Sequence, residues 1–390
     1  MSRENIETNH FFQPAGLYVH IPFCIRKCPY CDFFSITDRS TIPGFMEALI
    51  QEMSMTGVFP FRFDSLYIGG GTPSVLEANQ VGRVVETAHR SYRILPGAEI
   101  TLEANPGTLR FDKLTGFKSA GINRLNIGVQ SFRDAHLNFL GRIHTGRDAD
   151  TAIKDARKAG FDNLGLDLIY GIPGQTKKSW LLDLQQAVDY APEHLSCYML
   201  TYEFGTPMER GLRKGFFQAL PESLAGDLLE ATSAFLCSRG YQHYEISNFA
   251  RSTDFRSRHN MKYWAGVPYI GLGPSAHSFT GMKRSWNCRS VSQYTENLNA
   301  GRLPVAGEEV LSRDQEMIEA VYLGLRKADG IAAEAFEKKF GVSFHGLFGE
   351  VIADLRKKRM MNATKTRCAL TCRGMRFLDG IASRFVQRME

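Results

Sequence analysis

GLYVHIPFCIRKCPYCDFF, residues 16–34, opens on a short β-like run and passes straight into three cysteines, Cys24, Cys28 and Cys31. Their spacing is Cys-x3-Cys-x2-Cys. Three thiolates so placed can hold three irons of a cubic [4Fe–4S] cluster and leave the fourth iron without a protein ligand. A small chelating molecule can take that corner. The amino and carboxylate pair of S-adenosylmethionine suits it, and an electron from the cluster can then cleave the sulfonium to a 5′-deoxyadenosyl radical. A zinc knuckle is the competing reading. Zinc asks for a fourth Cys or His close by, and none follows within ten residues.

Working outward from this loop, β-rich runs alternate with helical patterns. Strands are expected at Leu17–Ile21, Ser65–Ile68, Glu99–Glu103, Arg124–Gly128, Asn163–Ile169 and His194–Leu200. Helices are expected near Ile42–Thr56, Glu77–His89, Phe111–Ser119, Ala149–Ala159, Lys178–Val188 and Glu222–Ser238. Ala152, Ile153, Ala156 and Ala159 form one apolar stripe that Gly160 ends. Six β-α units in series imply parallel strands with helical crossovers. A closed barrel needs eight. The fold class expected is therefore α/β, a partial (β/α)6 TIM-like barrel with a lateral mouth, over residues 9–245.

The pattern changes after about residue 245. The stretch 246–310 reads as a connecting segment, and His243–Phe279 is rich in aromatics, Gly and Pro and reads as irregular connection with short strands. Residues 311–390 read as a small α-rich C-terminal domain. Helices are expected at Gln315–Arg326, Phe344–Lys357 and Gly374–Phe385, and a β piece at Arg367–Thr371. Helices with a small β wing make a winged-helix-like unit.

The barrel strands deliver polar groups at their carboxyl ends, where such folds place their chemistry. Strand two delivers Gly69-Gly70-Gly71-Thr72-Pro73. Glycines without Cβ let the backbone approach a ligand closely, so Gly70, Gly71 and Thr72 can hold the adenosylmethionine amino group. Strand three delivers Glu103 and Asn105. Period-two alternation turns Glu103 inward, and an inward carboxylate needs a partner, for which the ligand's ammonium is fitting and an internal Arg the alternative. Gln130 on strand four and Asp167 on strand five suit ribose hydroxyls. Arg142 can form a forked pair with the methionine carboxylate.

Composition agrees with a globular chain: 390 residues, 43% hydrophobic, 23% charged. No apolar run reaches membrane-spanning length. The start, MSRENIETNHFFQPAG, reads as neither signal nor transit peptide, so a cytoplasmic protein is expected. Eight cysteines make no disulfide scaffold. The net charge of +6 is concentrated in residues 326–390, which hold 14 Lys/Arg against 7 Asp/Glu. Either a solvated helix face or contact with an anionic surface accounts for such a tail.

In order along the chain, YVHIPFC, IGGGTPS, LEANP, NIGVQSF, DLIYGIPGQT and IGLGPSAHS resemble a radical S-adenosylmethionine protein of the coproporphyrinogen-dehydrogenase-like family. The resemblance runs from about Gly16 to near the C-terminus. It implies that the cysteines bind the cluster. It also implies that Tyr18, Tyr30, Gly70, Gly71, Thr72, Glu103, Gln130, Arg142 and Asp167 fall on adenosylmethionine-binding positions, the two tyrosines by packing or backbone contact. Two departures point away from the dehydrogenase itself. Phe33 stands where that enzyme carries a further cysteine, and only about 23 residues precede the cluster where the enzyme has an extension.

SRHNMKYWAG supplies a third sign. His259-Asn260-x-x-Tyr263-Trp264 is similar to the HNxxYW motif of the family's heme-chaperone branch. An imidazole is a usual axial ligand of heme iron, and Tyr263 and Trp264 offer flat apolar area for a porphyrin face. Asn260 suits orienting the imidazole or meeting a propionate. The bland alternative is a loop that docks onto the barrel mouth through its aromatics. His277 is a second imidazole, and His20 reads as a core histidine. The resemblance then implies a heme chaperone that delivers heme to acceptor proteins such as respiratory enzymes. Its cofactors are the [4Fe–4S] cluster, S-adenosylmethionine and heme. Peripheral membrane contact and a homodimer are compatible with it, and nucleic acid is not an expected partner. The alternatives are an oxygen-independent coproporphyrinogen III dehydrogenase and a heme-opening radical methyltransferase.

Overall fold

A computed structural model describes residues 13–57 and 59–389; the expectations for the first twelve residues lie outside them. Six parallel strands form the centre: β1 (Ala15–Ile21), β2 (Arg62–Gly70), β3 (Arg93–Ala104), β4 (Arg124–Gln130), β5 (Leu164–Tyr170) and β6 (His194–Met199). Helices connect them, as the six β-α units require. Most predicted and observed bounds agree to within three residues, and Ile42–Thr56, Phe111–Ser119 and Glu222–Ser238 coincide, but β3, expected from Glu99, already begins at Arg93.

Local chemistry sets the helix ends. Pro43 opens the Ile42–Thr56 helix, where a missing N–H costs nothing. Thr145 and Asp148 make a reciprocal cap at the start of Gly146–Lys158, as Thr176 and Ser179 do at Lys177–Asp189. Gly160, at φ +84°, follows the Gly146–Lys158 helix as expected.

Alternation along each strand divides its two faces. Leu17, Val19, Ile21, Leu66, Ile68, Leu102, Leu125, Ile127, Leu166 and Leu168 are buried on the helix-covered side. The other face carries Tyr18, Tyr67, Glu103, Asn126 and Asp167, brought level by the register Tyr18–Tyr67, Glu103–Asn126 and Gly128–Asp167.

The stretch 246–310 extends the same sheet. With β7 (Gln242–Glu245), β8 (Asn248–Ala250), β9 (Tyr269–Leu272), β10 (His277–Phe279), β11 (Lys283–Asn287) and β12 (Val305–Val310), the strand order is β12-β11-β10-β9-β1-β2-β3-β4-β5-β6-β8-β7. β7 and β12 occupy the two edges without pairing to each other. The sheet is therefore open.

The tail runs helix Arg313–Arg326, β13 (Ile331–Ala332), helices Ala333–Phe340 and Phe344–Lys357, then β14 (Met361–Ala363) and β15 (Arg367–Leu370). The three strands pair as β13-β15-β14, the winged-helix-like arrangement expected. One expectation fails here. The helix read as Gly374–Phe385 is two, Cys372–Met375 and Leu378–Val386. At the break Arg376 reaches across to the barrel, donating to Ser223 O at 2.8 Å and to Asp227 Oδ1 at 3.1 Å. Gly226 makes room for it, since any Cβ there would collide with the guanidinium.

Candidate functional site

The cysteine loop leaves β1 and is pinned at both ends. Cys24 N donates to Ile36 O at 2.9 Å and Ile36 N to Pro22 O at 2.7 Å. The glycine loop closes on it: Gly71 N donates to Ile21 O and Thr72 N to Phe23 O, each at 2.8 Å. The Thr72 hydroxyl points at Cys24 Sγ, 3.4 Å away. A Cβ on Gly71 would lie 2.8 Å from Phe23 O and 3.1 Å from Cys24 Sγ. Only glycine lets these strands come together, and Gly70 adopts φ +114° in the same turn.

Arg142 stands over the loop. Its Nη1 lies 3.6 Å from Cys28 Sγ and 3.5 Å from the Tyr30 hydroxyl, while Nη2 donates to Gly128 O at 2.8 Å. Arg26 ties the loop to the same segment through Gly141 O at 2.6 Å and Arg142 O at 2.8 Å. Burial pushes the Cys31 thiol up, and the other two thiols add to the push. Burial does the same to the Tyr30 phenol, with the Arg142 guanidinium opposing it.

Two carboxylates face this loop. Glu103 accepts from the Tyr67 hydroxyl at 2.6 Å and from Gly70 N at 3.3 Å. Burial raises its pKa to about 7, with the Tyr67 hydrogen bond opposing and Asp167 adding. Asp167 accepts from Asn126 Nδ2 at 2.6 Å, and burial raises it to about 6. Gln130 closes the set in a left-handed conformation, φ +66°, next to a bulge between Gly128 and Gln130. Strain of this kind in a non-glycine residue persists only where surroundings impose it.

Tyr30, Cys31, Gly70, Gly71, Thr72, Glu103, Gln130, Arg142 and Asp167 all border one cavity of about 1490 Å³. Tyr18 lies beneath that wall, its ring stacked on Tyr67 at 6.2 Å and its hydroxyl 3.1 Å from His20 Nδ1. His20 is a core histidine, as read. The donor set fits the cluster and S-adenosylmethionine. Three free thiols sit on a pinned loop, a guanidinium adjoins one of them, and a carboxylate lies across a glycine cradle. Among the described residues no group of three or more His, Cys, Asp or Glu could hold a single metal ion. A cubane asks for less convergence, because each thiolate meets a different iron.

The four residues of HNxxYW do not border this cavity. His259, Asn260, Tyr263 and Trp264 lie on the helix Arg258–Ala265, which packs at the amino ends of the strands, opposite the cysteine loop. His259 is 1% exposed. Its Nδ1 lies 3.2 Å from Ser65 Oγ and its Nε2 2.8 Å from the Tyr263 hydroxyl. Both ring nitrogens are engaged, so His259 offers no open position to heme iron in this structure. Burial lowers its pKa to about 3 and keeps it neutral. Asn260 N donates to the capping Ser257 Oγ. Trp264 lies under the Arg326 guanidinium at 4.6 Å. His277 is exposed on β10 and stacks on Trp286.

Several residues of the cavity wall escaped the sequence reading. Tyr198 and Met199 end β6, Tyr202 follows it, and Arg326, Arg376 and Phe377 come from the tail. Tyr67 had a signal, since it shares parity with Gly69 and precedes it by two. The tail residues had none, because they arrive from far along the chain: Arg326 meets Glu245 across 81 positions and Arg376 meets Asp227 across 149.

Pinned thiols, glycine cradle and parallel strands together are those of a radical S-adenosylmethionine protein. Residues 18–187 match the Radical SAM superfamily, and residues 311–377 match the HemN C-terminal domain. Heme chaperone HemW of Lactococcus lactis is 34% identical over 375 residues, covering 96% of this chain and 98% of the relative. Heme chaperone HemW of Bacillus subtilis is 34% identical over 361 residues, covering 92% and 95%. Its Escherichia coli counterpart is 38% identical over 269 residues, covering 68% and 70%. The chain belongs to the HemW family. The solved structure of E. coli coproporphyrinogen III oxidase (HemN), a radical SAM enzyme, shares the fold at TM-score 0.81 and 24% identity, covering 99% of this chain and 93% of that one. Membership of the radical SAM superfamily implies a [4Fe–4S] cluster and S-adenosylmethionine. Among the described residues no helix is long and apolar enough to cross a membrane.

Proposed function

We propose that this chain is a heme chaperone. It holds a [4Fe–4S] cluster on Cys24, Cys28 and Cys31 and S-adenosylmethionine against Gly70, Gly71, Thr72, Glu103, Gln130, Arg142 and Asp167. It takes heme in the same cavity and passes it to heme-requiring acceptors such as respiratory enzymes. When bound, the cluster and its ligand supply one-electron chemistry or a switch between states. The names of its relatives support the chaperone reading.

The observation that carries the proposal is the cavity itself. At about 1490 Å³ it exceeds the roughly 300–1,000 Å³ of an ordinary small-molecule pocket. The polar set occupies one part. Phe33, Tyr198, Met199, Tyr202 and Phe377 give the remainder an apolar and aromatic wall, suited to a flat tetrapyrrole. Phe33, where the dehydrogenase has a cysteine, is 69% exposed and adds ring surface without a thiol. A cytoplasmic location fits these features. The exposed run Arg356–Arg359 suits peripheral contact with an anionic membrane.

One assay tests the reading. Protein with a reconstituted cluster is given heme, or coproporphyrinogen III with S-adenosylmethionine and a reductant, under anaerobic conditions. Stable heme retention without tetrapyrrole turnover is expected. Formation of protoporphyrinogen would replace the proposal with a dehydrogenase, and a linearised tetrapyrrole with a methyltransferase.

A further inference from the structure

The helix that carries HNxxYW is fastened under the barrel with unusual thoroughness. Its first N–H groups, Arg258 and His259, donate to Glu99 Oε1 at 3.0 and 3.4 Å. Glu99 is paired with Arg124 at 3.4 Å, both almost fully buried. Lys262 pairs with Asp64 at 2.6 Å and donates to Pro14 O at 2.7 Å. These contacts drive the His259 ring up into the barrel interior.

There it joins two tyrosines in a three-ring cluster, with Tyr18 and Tyr67 themselves 6.2 Å apart. The ring is stacked on Tyr67 at 5.2 Å and on Tyr18 at 6.0 Å, each at 27°. Glycines make space on two sides of the cluster. A Cβ on Gly16 would sit 2.8 Å from His259 Nδ1, and a Cβ on Gly69 would sit 2.9 Å from Tyr67 Cε1 and 3.1 Å from Glu103 Oε2. From this cluster the Tyr67 hydroxyl donates to Glu103 Oε1 at 2.6 Å and so turns Oε2 toward Gly70 N.

We propose that His259 is a positioning residue for the S-adenosylmethionine site, acting through Tyr67 on Glu103. The imidazole does not touch the cofactor. Its flat face fixes the plane of the Tyr67 ring, and its two hydrogen bonds, to Ser65 and Tyr263, fix the imidazole itself. The hydroxyl then holds the carboxylate in the orientation the ligand's ammonium needs. A neutral ring serves this role, since it adds no charge that would compete with the ammonium. The HNxxYW segment thereby becomes a seal and support of the cofactor end of the barrel rather than an iron ligand. The proposal rests on the reading that Glu103 meets the S-adenosylmethionine ammonium.

The test is titration of S-adenosylmethionine into the reconstituted, reduced protein. It is followed by the EPR signal of the cluster and independently by equilibrium dialysis. Tyr67→Phe and His259→Ala are each expected to weaken binding roughly tenfold or more, the scale on which supporting partners act. Iron, sulfide and heme retention should stay as in the parent. The double variant is expected to fall no further than the weaker single one, because both act along one path. His259→Phe keeps the ring face but loses both hydrogen bonds, so its affinity is expected to lie between those of the parent and His259→Ala, and it remains informative should His259→Ala fail to fold. Additive losses, unchanged affinity in Tyr67→Phe, or loss of heme with normal S-adenosylmethionine affinity would each overturn the proposal. Glu103→Gln separates the two levels. If it binds as the parent does, the underlying assignment of Glu103 fails; if it binds poorly while the His259 and Tyr67 variants do not, only the positioning role fails.

Discussion

Glu103 shows how burial tunes one residue for its partner. Its carboxyl, raised to about 7, is protonated at mildly acidic pH and cannot then pair with an ammonium. S-adenosylmethionine affinity is expected to fall as pH drops through about 7, by up to tenfold per pH unit while this one group dominates. Tyr67→Phe should move that midpoint up, since the lost hydrogen bond favours the carboxylate. Equilibrium dialysis between pH 6 and 8 checks both. The sign for stability is opposite. A carboxyl raised above its unfolded value stabilises the free protein most below about 4.5, and that contribution is lost as pH rises through about 7. At the same scale Gln130 keeps a backbone angle that most residues avoid, and the bulge beside it places the amide in the cavity wall.

At the scale of elements, the Arg258–Ala265 helix depends on one buried ion pair. Glu99 accepts the helix's first amides and faces Arg124, which also donates to Phe255 O at 2.9 Å. The carboxylate at a helix N-terminus is favourable in its own right. Glu99→Ala removes that acceptor and leaves Arg124 buried without its countercharge. A loss of roughly 3–5 kcal/mol is expected from breaking such a pair on one side, measured by chemical denaturation of the metal-free chain. A loss below about 1 kcal/mol, the value of an exposed pair, would show that water reaches the pair.

At the scale of the whole molecule, the tail completes the cavity. Arg326 binds Glu245, which is 0% exposed, at 2.8 Å and covers Trp264. Tyr322 donates to Asp379 at 3.0 Å, and Arg376 anchors on the barrel helix Glu222–Ser238. These contacts bring Arg326, Arg376 and Phe377 to the cavity wall. Arg326→Ala is expected to loosen the tail, with amide exchange in the Arg313–Arg326 helix accelerating roughly tenfold or more. Cluster loss in air should quicken with it. Exchange unchanged from the parent would mean that the apolar contacts alone hold the tail in place.

Local pattern by itself determined much of this protein. Alternation named the strands and turned Glu103 and Asp167 inward, cysteine spacing named the cluster loop, and the count of β-α units named an open barrel. Those signals lie within a few residues of one another, where period and spacing act directly. Tertiary structure alone decided the rest. It set HNxxYW under the barrel instead of at its mouth, broke the last helix at Arg376, and brought Tyr67 beneath Glu103 and Phe377 beside the cavity. Such contacts join positions far apart in the chain, and their partners are selected by the packing of finished elements, which no local period encodes.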